Sequence, residues 1–292
     1  MLLFAVTLLH GQEYARVRDF GENPGRLRMY RYIPAGLDST QRYPLVLVLH
    51  GSMLSAGIMH RNDGWGKQAD SLKFMLLYPD QRFGNNPVRA FNVRFGRDRN
   101  ALEQEAVSII GMIAYMKEHY PVDPRRIYIT GLSAGGSMSN VMLLLYPEYF
   151  RAGALIAAPS WLPEAMEIAE GPFPRIAVIQ GNSDDVVPPH HADVLTEQWA
   201  KIFGLDPMNY MPVRNYNDNP RLTLRSYEKD GDTLLIRLDM ATVGHQMAIV
   251  PGNSLHRGGR HSVYSIDIGF HLPWWILQFF GITEQKDQIP NH

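Results

Sequence analysis

The sequence predicts an α/β fold, in which a mostly parallel central sheet carries helices on both faces. Apolar segments of strand length alternate with helical segments along most of the 292 residues, a pattern typical of a parallel sheet with crossover helices. Residues 44–49 (PLVLVL) are apolar throughout, as expected for a strand covered on both faces. At residues 126–145 a strand, a glycine-rich turn and a helix follow directly on one another.

The remaining elements follow in chain order. Residues 26–33 alternate between apolar and polar side chains, which indicates a half-buried antiparallel strand. Further strands are predicted at residues 74–78, 126–130, 152–157, 175–180, 222–227 and 234–238. Helices are predicted at residues 65–72, 101–119, 137–145, 191–203 and 272–280. Asp230-Gly231 is a hairpin turn between the last two strands, and residues 81–100 form a long polar loop of the kind that is usually functional.

Composition excludes several classes of function. The chain is 45% hydrophobic and 20% charged with a net charge of -1, so we expect neither nucleic acid nor an anionic membrane as a partner. It has no cysteine, which excludes disulfides, thiolate zinc sites and a cysteine nucleophile. The oligomeric state is not fixed by these observations.

The two ends of the chain are expected to lie outside the catalytic unit. Residues 2–9 (LLFAVTLL) are too few to span a bilayer. They are either the remnant of a signal peptide or a first strand, because neither a basic segment nor a cleavage site flanks them. We expect residues 1–20 to be an N-terminal segment, residues 21–283 one domain and residues 284–292 a tail. A signal peptide would make the protein secreted or periplasmic, and otherwise it is cytoplasmic.

Ser133 stands at the apex of the turn at residues 131–135 (GLSAG). Glycines at 131 and 135 allow the strand and the helix to approach closely and let the turn adopt a strained backbone. Such a turn exposes the serine hydroxyl above the end of the strand, beside the helix N-terminus. The strand before it and the helix after it favour a nucleophile over an ordinary loop serine.

A serine nucleophile needs a general base, and the base needs an orienting carboxylate. Asp184 and Asp185 both follow the strand at residues 175–180, where sites in open α/β sheets lie. Asp184 is favoured because Val187 and Pro188 follow it after a short turn. Asp185 is expected to cap the next helix.

Among eleven histidines, His245 fits the base best. It follows the hairpin directly and completes the chain order serine, aspartate, histidine. His190 and His191 are adjacent, so they cannot both face one site, and they could bind a metal only with distant ligands. We therefore expect no metal, and His256 is the alternative base.

The oxyanion hole needs two backbone N–H groups. Ala134, directly after the nucleophile, supplies one. The second is expected from the loop after residues 44–49, which begins His50-Gly51-Ser52-Met53. Ser52 is the first choice and Met53 the second.

Short motifs in a fixed order cover nearly the whole chain. They are FGENPGRLRMY at 20–30, LHG at 49–51, YPDQ at 78–81, EAVSI at 105–109, GLSAGG at 131–136, GNSD at 181–184, GH at 244–245 and FFG at 279–281. In this combination the sequence resembles the poly(3-hydroxybutyrate) depolymerase-type esterases. The resemblance implies an α/β-hydrolase fold, a triad of Ser133, Asp184 and His245, and no cofactor.

The sequence departs from that family pattern near the expected groove. Ser52 and Ala90 replace two cysteines, which the resemblance implies to be a disulfide pair, and Val93 replaces a tryptophan. Trp161 either substitutes for that lost groove surface or is a core side chain. Together with Trp161, Phe91 and Met53 are the expected substrate-binding residues.

The resemblance implies a serine esterase that acts through an acyl-enzyme on a polyhydroxyalkanoate polyester or its oligomers. The alternative is a feruloyl or acetylxylan esterase on the same scaffold. A catalytically inactive binding protein is a third hypothesis, against which the intact serine, aspartate and histidine argue. We expect no polymer-adsorbing module after the last predicted helix, and we therefore expect oligomers, amorphous polyester and small esters as substrates rather than crystalline polymer.

Overall fold

The computed structural model describes residues 13–93, 99–160 and 168–283. The expectations for residues 2–9, for Trp161 and for the tail fall on residues outside these ranges. The described strands are β1 (Glu13–Val17), β2 (Arg28–Ile33), β3 (Tyr43–Leu49), β4 (Met75–Asp80), β5 (Val122–Leu132), β6 (Ala152–Ile156), β7 (Arg175–Gly181), β8 (Met211–Arg214), β9 (Leu222–Lys229), β10 (Asp232–Met240), β11 (Met247–Ile249) and β12 (Ser265–Asp267). The helices are α1 (Ala56–Asn62), α2 (Trp65–Leu72), α3 (Arg99–His119), α4 (Ala134–Leu145), α5 (His190–Phe203) and α6 (Leu272–Phe280).

Ten strands form one sheet in the order β1-β2-β4-β3-β5-β6-β7-β10-β9-β8. From β4 to β10 every neighbouring pair is parallel. The outer strands at both edges run antiparallel to their neighbours. The mostly parallel sheet with antiparallel edges, predicted from sequence, is therefore confirmed.

Helices cover both faces of the sheet. Along β3, Leu45, Leu47 and Leu49 belong to one buried cluster, which includes side chains of α3, α4 and α5. Val46 and Val48 point to the opposite cluster, which includes side chains of α1, α2 and α6. The unbroken apolar run at residues 44–49 thus reflects burial on two sides.

Some elements were not predicted because their sequences carry little hydrophobic pattern. The strand β8 is exposed at all four residues, so backbone pairing with β9 defines it rather than a buried face. The short helix α1 begins at the side-chain cap of Ser55, which accepts a hydrogen bond from the Ile58 N–H.

Within the described residues, no helix is both long and apolar enough to cross a membrane.

The parallel strands bring distant parts of the chain together at the carboxyl edge of the sheet, the side at which all of these strands end. The carboxyl ends of β3, β5, β7 and β10 all lie at this edge. The segments that follow them contain the predicted oxyanion loop, Ser133, Asp184 and His245. Sites in open α/β sheets form at this edge.

Candidate active site

Ser133 occupies the sharp turn between β5 and α4. Its backbone has φ 57° and ψ -121°, a conformation that is strained for a residue with a side chain. The Ser133 N–H donates to the Ile156 carbonyl at 2.9 Å, which ties the turn to β6. The turn that carries the Ser133 hydroxyl is therefore fixed to the sheet by a backbone hydrogen bond.

Glycine is required on both sides of this turn. A Cβ on Gly131 would lie 2.3 Å from the Gly135 carbonyl oxygen. A Cβ on Gly135 would lie 2.4 Å from the Leu49 carbonyl oxygen of β3. Because backbone atoms cannot yield as a flexible side chain can, the approach of α4 to the sheet depends on these two residues.

Asp184 and His245 form a hydrogen-bonded pair. His245 Nδ1 lies 2.8 Å from Asp184 Oδ2, and the Asp184 side chain is fully buried. The other carboxylate oxygen, Oδ1, accepts the N–H groups of Val186 at 3.0 Å and Val187 at 2.8 Å. Gln180, which sequence reasoning missed, donates to Oδ2 from inside the sheet at 3.2 Å.

The charge of Asp184 follows from these contacts. Burial raises the pKa of its carboxyl, but the hydrogen bonds from His245 and from the two backbone N–H groups outweigh burial and lower the pKa below its ordinary value. A charged carboxylate can only accept, so Nδ1 of His245 carries its proton. The lone pair of His245 is then on Nε2, as a general base requires.

Close packing of two loops brings this pair together. A Cβ on Gly181 would lie 2.3 Å from the carbonyl oxygen of Val243. The same carbonyl accepts the Ser183 N–H at 2.9 Å. The loop after β7 and the loop after β10 therefore touch through their backbones.

Among the described residues, no hydrogen bond joins His245 to Ser133. Hydrogen bonds between a general base and a nucleophile often form only when substrate binds.

The competing candidates lie elsewhere. Asp185 is exposed, and α5 begins after Pro189 without a side-chain cap, so the expectation that Asp185 caps this helix is wrong. The His256 ring packs edge-on against the ring of Trp274 in α6, with 4.3 Å between the ring centroids.

Within the described ranges, no three histidine, aspartate or glutamate side chains cluster as metal ligands.

The loop after β3 lies against Ser133. A Cβ on Gly51 would lie 3.2 Å from the Ser133 Cβ. Ala134 is the first residue of α4, so its N–H has no acceptor within the helix. The Met53 N–H donates to the Val88 carbonyl at 2.7 Å and is therefore occupied, which favours Ser52 as the second oxyanion donor.

His50 holds this loop from beneath. Its ring is fully buried, and Nε2 accepts the Gln81 N–H at 2.9 Å. Nδ1 must then carry the proton, which it donates to the Gly51 carbonyl at 2.8 Å. Burial lowers the pKa of His50 to about 4, although nearby Asp80 opposes the shift. The neutral ring is thus a fixed spacer between the Gly51 backbone and the segment that follows β4.

Of the predicted substrate-binding residues, Met53 is exposed and Phe91 is buried. Met53, in the loop after β3, is 55% exposed, so its substrate contact stays a prediction. Phe91 has no exposed surface and packs 5.2 Å from the His50 ring, so it supports the loop and cannot contact substrate there. Ala90 and Val93, where the sequence departs from the family pattern, are also buried.

Comparison with known sequences shows similarity over most of the chain. Residues 27–167 match the family described as esterase PHB depolymerase. Poly(3-hydroxyalkanoate) depolymerase C of Paucimonas lemoignei is 30% identical over 310 residues, covering 96% of this chain and 73% of that protein. Feruloyl esterase B of Neurospora crassa is 27% identical over 229 residues, covering 65% of this chain and 75% of that protein.

Comparison with solved structures identifies the fold as that of the α/β hydrolases. An acetyl xylan esterase from Aspergillus awamori superposes with a TM-score of 0.74 at 19% identity. The superposition covers 93% of this chain and 100% of that one. At this level of identity the likeness concerns the fold alone.

The burial of His50 predicts a pH-dependent contribution to stability. The neutral ring stabilises the fold fully above pH 6.5, its ordinary pKa. This contribution is lost as the pH falls from 6.5 toward about 4, because the unfolded chain takes up the proton first. We expect His50→Gln to lower the free energy of unfolding by about 1–3 kcal/mol at pH 7.5, and the difference from wild type to shrink toward pH 4.

Urea unfolding of both proteins at several pH values between 7.5 and 4.5 measures this difference. Comparing the two proteins cancels the contributions of groups that both share. A difference that stays constant over the range would contradict the assigned protonation state of His50.

Proposed function

The chain belongs to the esterase PHB depolymerase family and is a carboxylic ester hydrolase, and we propose that Ser133, Asp184 and His245 are its catalytic triad. The observation that carries the proposal is the 2.8 Å hydrogen bond from His245 to the buried Asp184, at the sheet edge where Ser133 occupies its strained turn. The proposed catalytic domain extends to residue 283 and includes β1 (Glu13–Val17), which the expected boundary at residue 21 leaves out although this strand pairs with β2 in the central sheet.

In the proposed reaction, the Ser133 hydroxyl attacks the ester carbonyl carbon while His245 Nε2 removes its proton. Asp184 stabilises the imidazolium that forms, because it stays charged and bonded to Nδ1. His245 then gives the proton to the leaving alcohol, and an acyl-enzyme remains on Ser133. A water molecule, activated by the same imidazole, releases the carboxylic acid and restores the serine.

The proposed oxyanion hole consists of the N–H groups of Ala134 and Ser52. Ala134 lies at the N-terminus of α4, where the helix dipole favours negative charge. Two such donors stabilise the oxygen that becomes charged in the tetrahedral intermediate. Every step uses groups of the chain and one water, so the mechanism needs no cofactor.

The proposed substrate is a polyhydroxyalkanoate polyester or its oligomers. The similarity to the Paucimonas depolymerase supports this, since it extends over 96% of the chain. A feruloyl or acetylxylan esterase is the second candidate, favoured by the similarity to the Neurospora esterase. We propose a secreted or periplasmic location, with the cytoplasm as the alternative.

Replacing the proposed nucleophile, Ser133, tests its role in catalysis. We expect Ser133→Ala to lower turnover of p-nitrophenyl acetate about 10⁴-fold or more, because no other group forms the acyl-enzyme. A fluorophosphonate probe should label the wild type and not the variant. Activity within about tenfold of wild type would refute the assignment, and failure of the wild type to label would favour an inactive binding protein.

Asp184 and its neighbour Asp185 provide a test substitution and a matched control. We expect Asp184→Asn to lower kcat about 10⁴-fold, because an amide no longer fixes the tautomer of His245 or stabilises the imidazolium. Asp185→Asn changes the same group one residue away, on an exposed side chain, and should leave kcat within about twofold. Equal losses in the two variants would show that the loop, rather than the carboxylate, is responsible.

A substrate panel separates the two candidate esters. We expect release of 3-hydroxybutyrate oligomers from an amorphous polyester film and little release of ferulate or of acetate from acetylated xylan. Ser133→Ala serves as the blank for each substrate. Higher kcat/KM on ferulate or acetylxylan than on soluble hydroxybutyrate oligomers would favour the second candidate.

A further inference from the structure

A second serine and histidine make contact outside the triad. The Ser160 hydroxyl lies 3.0 Å from Nδ1 of His191, and the Ser160 N–H donates to the same nitrogen at 3.3 Å. Ser160 lies in the segment after β6, whereas His191 lies in the first turn of α5. Two donors of one residue thus converge on one imidazole nitrogen.

These contacts fix the protonation state of His191. A backbone N–H can only donate, so Nδ1 must present its lone pair and the ring proton is on Nε2. Burial and the neighbouring His190 lower the pKa of His191, and Asp184 opposes the shift. His191 is therefore neutral at neutral pH and acts as an acceptor for Ser160.

The segment at residues 157–160 borders the nucleophile. It follows Ile156, whose carbonyl accepts the Ser133 N–H. A Cβ on Gly136 would lie 2.8 Å from the Ala158 Cβ, and the Ser137 hydroxyl donates to the Pro159 carbonyl at 2.6 Å. The segment thus packs on the first turn of α4, on the side of Ser133 away from the oxyanion loop.

His191 belongs to the part of the chain that holds Asp184. Its N–H donates to the Pro188 carbonyl at 3.0 Å. Just before it, the Val187 carbonyl accepts a hydrogen bond from Gln180, which also donates to Asp184. The contact from His191 to Ser160 therefore joins the rigid support of the triad acid to the segment beside the nucleophile.

We propose that the Ser160–His191 hydrogen bond is a latch that fixes the wall of the substrate cleft beside Ser133 and so determines specificity for extended esters. The inference rests on the proposed function of Ser133. Both latch residues are positioning residues. An acetyl ester is too small to depend on a wall beyond the scissile bond, whereas an ester with a long acyl chain must pack against it.

Two substitutions of similar size test the latch. Asn at position 191 keeps an acceptor near the place of Nδ1, whereas Leu has nearly the same shape and no acceptor. We expect His191→Leu to lower the ratio of kcat/KM for p-nitrophenyl octanoate to that for p-nitrophenyl acetate about tenfold, mainly through KM. One lost hydrogen bond accounts for a change of this size. His191→Asn should restore most of the ratio.

The controls separate this inference from the proposed function. His190→Leu alters the exposed neighbour that does not bond Ser160 and should leave the ratio unchanged, while Ser160→Ala keeps the N–H and should give an intermediate ratio. Thermal unfolding shows that each variant is folded. A wild type inactive on both esters would refute the proposed function. An active wild type, with equal ratios in the Leu and Asn variants, would overturn the latch.

Discussion

The close backbone approach between β3, β5 and α4 is the constraint on which the rest of the site depends. Gly135 fits against the Leu49 carbonyl with no room for a Cβ, and Ser133 is held at φ 57° as a result. Strain of this kind persists only where the surrounding structure over-determines it. Here the N–H of Ser133 is bonded to β6 and the Gly51 backbone lies against its Cβ. Ser133 and the loop after β3 are therefore positioned by one set of backbone contacts.

Two histidines near this turn differ in role because their surroundings differ. His50 is fully buried, and its proton is committed to the Gly51 carbonyl, so it remains neutral and acts as a spacer. His245 is paired with a charged carboxylate at its Nδ1, an arrangement that leaves the lone pair on Nε2. The same imidazole group thus serves structure in one place and, in our proposal, catalysis in the other.

The proposed chemistry and the proposed specificity rest on different contacts. Backbone packing and a buried carboxylate position the three residues of the proposed triad, and the similar esterases named for polyesters, ferulate and acetyl xylan share the family or the fold. The segment at residues 157–160 is held by contacts of Ala158 and Pro159 with the first turn of α4 and, at its end, by the Ser160–His191 contact. In our proposal, a change at the Ser160 end of this segment alters the cleft without touching Ser133, which is a route to new substrates on one scaffold.

The sequence by itself determined the order of elements, the parallel sheet and the elbow at Ser133, because hydrophobic period and glycine spacing are local properties of the chain. It also placed Asp184 and His245 at the correct sheet edge, since consecutive parallel strands end there. Only the tertiary structure decided that Phe91 is buried under His50, that the Met53 N–H is occupied and that Ser160 meets His191. These depend on contacts between segments far apart in the chain, which no local pattern encodes.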